Sequence, residues 1–172
     1  LGAATVSGTY GITAGGAVTD SGTQEIAGVA TISASGQDVT LNTSTNNFAD
    51  EVRITGAAVT VVDEDAIVLG AATVSGTYGI TAGGAVTDSG TQEITGVTTL
   101  VAGSGNDITL NTSTNNFAAA VVITSGNNVA ITDEDAIDLS LSRVVGFEMA
   151  ELLKDPVALS PVLLYIFHRI NI

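Results

Sequence analysis

Two stretches of the chain carry enough carboxylates in one place to do chemistry. Asp63-Glu64-Asp65 and Asp133-Glu134-Asp135 each open the same short run, DEDAI, which occurs twice in the chain. Calcium takes roughly six to eight oxygen ligands, which clustered carboxylates could supply. Two features stand against it. The spacing is neither the alternating Asp of an EF-hand loop nor the Gly-Gly-x-Gly-x-Asp of a calcium-binding β-roll. Asp is also a common turn residue, because its side chain bonds nearby backbone. Hydrolase or lyase chemistry on a polysaccharide would need a non-repeating constellation in a cleft. Here the only His is His168, Arg53 is replaced by Val122 in the duplicate, and the acids recur as scaffold residues do. The expectation is no enzyme, no catalytic residue and no cofactor, with calcium at DEDAI as the one metal reading.

Other polar runs have structural readings as well. The turns Asn42-Thr-Ser-Thr-Asn46-Asn47 and Asn111-Thr-Ser-Thr-Asn115-Asn116 could offer a sugar-binding edge. Stacked identical amides satisfy one another, so an amide ladder is the expectation. Asn42-Thr43-Ser44 and Asn111-Thr112-Ser113 fit the N-glycosylation acceptor pattern, which is short enough to occur by chance. A row of Thr19, Thr40 and Thr60 raises an ice-binding reading. Ala130 in the second copy interrupts it, and Thr is at home in strands in any case.

These residues are positioned by a repeat. Residues 1–26 recur unchanged as 69–94, LNTSTNNFA at 41–49 returns at 110–118, and DEDAI at 63–67 returns at 133–137. The first copy spans 1–68 and the second 69–138. Each copy divides into three lines, and each line carries three apolar anchors. The anchors are Ile12, Val18, Ile26; Ile32, Val39, Phe48; and Ile54, Val59, Ile67. The second copy supplies Ile80, Val86, Ile94; Leu100, Ile108, Phe117; and Ile123, Val129, Ile137. First anchors advance from Ile12 to Ile32, Ile54 and Ile80, and the step into the second copy is the longest.

A strand, a turn, a strand, a turn and a third strand make one three-sided coil. Stacked about 4.8 Å apart, six coils would form a rod roughly 30 Å long. Ile12, Ile32 and Ile54 should then form one inward ladder, and Val18, Val39 and Val59 another. A single coil cannot bury its own apolar face, so the array does so collectively. The predicted fold is all-β: a right-handed parallel β-helix, or β-solenoid, with about three coils per 68-residue repeat. Gly15, Gly16, Gly36 and Gly56 are expected at corners that need positive φ. A pair of β-sandwiches is the competing fold, but it gives no reason for a threefold sub-repeat. Helical solenoids do not suit so much Gly, Thr, Val and Ile.

Composition bounds the partners. The chain has 172 residues, 45% of them hydrophobic, with 18 acidic and 4 basic residues and a net charge of −14. Arg53 is the only basic residue before 139. Such a surface repels phosphate backbones and anionic bilayers, so neither nucleic-acid binding nor membrane insertion is expected. No cysteine is present, which excludes a disulfide framework and thiolate metal sites. Leu1 duplicates the internal Leu69, so the chain is expected to begin inside a longer array.

The run NNFADEVRITGAAVTVVDEDAIVLGAATVSGTYGITAGGAVTDSG resembles repeats of the filamentous haemagglutinin family of large exoproteins. Asn46, Asn47 and Phe48 match its Asn-Asp-Phe-like turn. Asp63 to Ile67, with Leu69 and Gly70, match its Asp-Ala-Asn-Ala-Leu-like turn and Leu-Gly step. Gly15, Gly16, Ala17, Val18 and Thr19 match its Gly-Gly-Ala-Ile/Val-Thr corner. The resemblance covers residues 1–138 and implies a right-handed β-helix, exported by two-partner secretion or an autotransporter-like route and serving adhesion. The family's secretion-signal domain is not in this sequence.

From residue 139 the composition changes. Residues 139–172 hold both prolines, the only Met, the only Lys and the only His, with one Gly and no Thr. Ser142–Asp155 reads as a short helix ended by Pro156, and the apolar run Val162–Phe167 is too short to span a bilayer. This tail is expected either to cap the last coil or to be a non-native end. The function expected from all this is a structural stalk segment of a secreted or cell-surface bacterial adhesin, with neighbouring repeats and an unidentified receptor or glycan as partners. The alternative is a calcium-stabilised matrix or surface-layer repeat, and a third reading is a polysaccharide-acting β-helix enzyme.

Overall fold

A computed structural model describes residues 1–134 of the chain. The short helix, Ile137, Asp135 and the proposed cap of residues 139–172 lie outside the described residues. The chain divides into units 1–136 and 137–172.

The described residues form a β-solenoid of about six turns with no helix. The first coil holds β1 (Ala4–Val6), β2 (Tyr10–Thr13) and β3 (Val18–Thr19). The second holds β4 (Gln24–Ile26), β5 (Ala30–Ser33) and β6 (Val39–Leu41). The third holds β7 (Asn47–Phe48), β8 (Glu51–Gly56) and β9 (Val59–Asp63). Then come β10 (Ile67–Val74), β11 (Tyr78–Ala82), β12 (Val86–Asp88), β13 (Gln92–Ile94) and β14 (Thr98–Val101). The last described strands are β15 (Ile108–Leu110), β16 (Asn116–Phe117), β17 (Val121–Ser125) and β18 (Val129–Ile131).

Every strand pair is parallel, which excludes the paired sandwiches. Within the first copy three ladders rise: β1-β4-β7, β2-β5-β8 and β3-β6-β9. Ile12, Ile32 and Ile54 are in register, as are Val18, Val39 and Val59. The period-two alternation of β-branched and small residues turns every second side chain inward. Ile32, Val39, Leu41, Phe48, Ile54, Val59 and Val61 are accordingly buried in one continuous core.

The copies do not stack directly on each other. Ile67, the third anchor of its line, pairs through β10 with Val86, a second anchor, while Ala72 stands over Ile54. The cause lies in β10, an eight-residue strand with a bulge between Leu69 and Ala72. A bulge inserts an extra residue and bends the strand. Below, β10 pairs with β8 alone. Above, its first half carries β12 and its second half carries β13. One ladder therefore forks into two, while β1-β4-β7 ends at β7.

The segment LGAATV, which carries none of the anchors, is thus part of a strand, and it accounts for the long step from Ile54 to Ile80 between first anchors. One copy contains nine strands plus half of β10, ten segments for three faces, so each face of the second copy is displaced by one. The Thr row shows it: Thr19, Thr40 and Thr60 continue to Gly79, Thr99 and Val122, whereas Ala130 tops the row of Thr87 and Thr109.

Corner glycines serve close approach more than positive φ. Among the described residues only Gly36, at φ 70, and Gly105, at φ 90, lie in the left-handed region. Gly36 sits in a turn closed by the Gln37 N–H to the Ala34 carbonyl at 2.9 Å. Gly15, Gly16 and Gly56, also expected there, do not.

Candidate functional site

Asp63 stands at the end of β9 and turns inward, only 2% exposed. One carboxylate oxygen accepts the Phe48 N–H at 2.9 Å and the other accepts the Asp65 N–H at 2.9 Å. Phe48 lies in β7, the strand above which no further strand pairs among the described residues. An edge N–H left bare inside the rod would cost about 1–3 kcal/mol. Asp63 supplies the acceptor that the missing strand would have supplied, and so closes the β1-β4-β7 ladder. Burial pushes its carboxyl above the usual range, and the two backbone donors and the neighbouring acids modify that rise. Asp133 repeats the arrangement, accepting the Phe117 N–H at 3.3 Å.

The DEDAI carboxylates therefore do not converge. Glu64 and Asp65 are exposed while Asp63 faces the core. Asp65 accepts from the Asn47 amide at 3.5 Å, and Glu134 accepts from the Asn116 amide at 3.1 Å. Among the described residues no group of three or more His, Cys, Asp or Glu is placed to hold a metal ion. Asp135 lies outside the described residues.

A second polar system joins the Asn46 and Asn115 of the Asn-rich turns to Asp and Gln residues that no motif singled out. Asp20 accepts from the Asn42 N–H at 3.0 Å, the Thr43 N–H at 3.2 Å and the Asn46 amide at 2.6 Å. The Asn46 amide oxygen accepts the Gln24 N–H at 2.8 Å. The Gln24 amide then donates to the Gly2 and Gly22 carbonyls at 2.7 and 2.8 Å, and Tyr10 donates to its oxygen at 3.4 Å. Asp88, Asn115, Gln92 and Tyr78 repeat these bonds one copy later. Burial pushes the Tyr78 hydroxyl up, so it stays a neutral donor.

The expected Asn-on-Asn amide ladder is therefore not what forms. The fully buried Asn46 and Asn115 staple one coil to the coil beneath through Gln and Asp partners. Buried polar groups hold a unique register only when each is satisfied, and here nearly all are. Among the described residues Thr98 is the exception, its hydroxyl buried without a partner. The signal for these staples was present in the exact repetition of Asp20, Gln24 and Asn46. Their partners lie one coil away in the chain, so only the stacking pairs them.

A shallow groove of about 230 Å³ follows the ends of β1, β4 and β7, lined among others by Val6, Glu25, Ile26, Asn47 and Ala49. Arg53 pairs with Glu51 at 2.6 Å, and this carboxylate holds the guanidinium further up in pKa. Asp107 accepts the Asn128 N–H and the Asn127 and Asn128 amides, each at 3.0 Å, which lowers its pKa.

No curated protein and no solved structure matches the chain. One family model matches it twice, over residues 1–55 and 56–124, the described solenoid almost throughout. Its boundary at 55/56 phases the repeat differently from 68/69, as the start of a periodic unit is arbitrary. By that double match the chain belongs to the family described as repeats of unknown function (DUF5649).

Proposed function

We propose that this chain is a structural, non-catalytic stalk segment of a secreted or cell-surface bacterial adhesin or exoprotein of the filamentous haemagglutinin type. The observation that carries the reading is the passage of two hydrogen-bonded ladders from one copy to the next, β8 to β10 and β9 to β11. A repeat that hands its ladders on can be lengthened without a new core. Each copy adds ten strand segments over three faces, about 16 Å of rod at the usual strand spacing.

The interior is filled by apolar ladders and satisfied amides, leaving the outside for contacts. That outside is acidic, which keeps long rods apart in solution. The partners proposed are neighbouring repeats of a longer array and a receptor or glycan bound elsewhere on it, with no nucleic acid and no membrane insertion. The calcium-stabilised alternative rests on DEDAI, where Asp63 already commits both oxygens to backbone N–H groups.

Protease treatment of intact producing cells tests the reading. Release of the repeat into the medium, with cytoplasmic markers retained, is the expected result. A repeat protected until the cells are lysed would sink it.

A further inference from the structure

We propose that Asn42 and Asn111 are acceptor sites at which this rod carries N-linked sugar. Asn42-Thr43-Ser44 and Asn111-Thr112-Ser113 are the only Asn-x-Ser/Thr stretches in the chain. The pattern alone is short, but the fold separates these two asparagines from all the others it describes.

Seven of the nine described asparagines use their side-chain amides to tie one coil to another. Asn46 and Asn115 are buried and donate to Asp20 and Asp88. Asn47 and Asn116 donate to Asp65 and Glu134, Asn106 to the Gly83 carbonyl, and Asn127 and Asn128 to Asp107. The side chains of Asn42 and Asn111 form no hydrogen bond with any described residue, and both are exposed. A sugar on any of the seven would displace a bond of the fold, and at Asn46 or Asn115 it would have to enter the core. On Asn42 or Asn111 it displaces only water.

The backbone that presents these free amides is fixed. Asp20 accepts the Asn42 and Thr43 N–H groups at 3.0 and 3.2 Å, and the Asn46 N–H closes the turn on the Thr43 carbonyl at 3.0 Å. Asp88 accepts the Asn111 and Thr112 N–H groups at 2.9 and 3.2 Å, and the Asn115 N–H reaches the Thr112 carbonyl at 3.1 Å. Ser44 and Ser113, whose hydroxyls complete the pattern, are exposed too. Asn42 lies on the flank of the rod, since the strand that leads to it, β6, has β3 on one side and β9 on the other. β6 and β15, the strands before the two turns, belong to different ladders. Sugars on successive copies therefore leave the rod from different faces, and a bulky group at one site leaves room for the next.

The transfer is a substitution at the anomeric carbon of an activated sugar, a glycosyl diphosphate carried on a nucleotide or on a lipid. The asparagine amide nitrogen forms the new C–N bond as the C–O bond to the diphosphate breaks. The diphosphate leaves with the electron pair, and the amide proton passes to a base of the transferase.

The test is mass spectrometry of the full chain purified from the cells that produce it, after cleavage at acidic residues. The peptides carrying Asn42 and Asn111 are expected to be heavier by sugar attached at those asparagines. A single added sugar points to the nucleotide-linked donor, and a preassembled block to the lipid-linked one. Asn42→Gln and, separately, Ser44→Ala should each abolish the addition at 42 and leave that at 111. Both variants should fold as wild type does, because neither side chain bonds to the rest of the described chain. Asn42 and Asn111 found unmodified in the wild type overturn the proposal. So does sugar confined to serine and threonine, or a Ser44→Ala chain modified at 42 to the wild-type level, since the acceptor pattern is then not what the transferase reads.

Discussion

Ala72 lies in register with Ile54 across the β10–β8 pair, whereas Ala4, the residue it duplicates, opens the ladder that runs on to Gln24. The same run of residues therefore begins the first face in one copy and stands on the second face of the copy below. The bulge after Leu69 keeps both Leu69 and Ala72 pointing inward, and Asp63 caps the ladder that is left behind. Displacement by one face per copy spreads each exposed residue type round the rod instead of lining it along one side.

Removing the Asn46 staple should be costly. Asn46→Ala strips the Gln24 N–H of its acceptor and Asp20 of a donor in a fully buried setting. A loss of about 2–3 kcal/mol is expected in denaturant unfolding, with a similar loss for Asn115→Ala. A change under about 0.5 kcal/mol in both would count against the staple.

Thr98 predicts a gain. Its hydroxyl is buried with no partner, and the equivalent position in the first copy is the buried Ala30. Thr98→Val keeps the shape and removes the unsatisfied group, so stability should rise by about 1 kcal/mol. Thermal melting of the two proteins side by side reads it.

Asp63 gives a pH dependence of definite sign. Its folded pKa is raised above the ordinary value of 3.8, chiefly by burial, so the native state binds the proton more tightly than the unfolded chain. Stability is then gained as pH falls from neutral through the raised value towards 3.8, and lost again as pH rises. The difference between wild type and Asp63→Asn should show this slope. A flat difference would mean that Asp63 stays ionised at no cost. Asp107 acts in the opposite sense, its contribution being lost as pH falls through its lowered pKa.

Identical glycines should differ in consequence. Gly84→Ala pushes a Cβ to 2.7 Å from the Ala66 nitrogen and 2.9 Å from its Cα, so the two coils must part. Gly16→Ala meets open space. The first should lower the melting temperature by roughly 5 °C or more, on the order of 1–2 kcal/mol for a domain this size. The second should leave the melting temperature nearly unchanged.

Chelation should do nothing. With Asp63 turned inward and no group of three metal-ligating side chains among the described residues, EDTA is expected to leave the melting curve in place. A downward shift reversed by added calcium would revive the DEDAI site.

The near-regular recurrence of β-branched anchors was enough to set the parallel solenoid and two of its ladders, through Ile12, Ile32 and Ile54 and through Val18, Val39 and Val59. That information is local, since each anchor sits in its own short alternating strand and only the period has to match. Three things were not local. Ala72-Thr73-Val74 looks like a connector until β8 and β13 flank it, because small residues form a strand only where neighbours supply the hydrogen bonds. Gln24 and Asn46 look like surface amides until stacking brings two successive coils together and makes them one buried pair. Gly83 and Gly15 are the same residue in the same sequence, and only the coil beneath makes one of them indispensable. Sequence by itself determined the period and the inward side chains. Tertiary structure alone decided which coil lies under which, since that depends on where a ladder ends and where its neighbour forks.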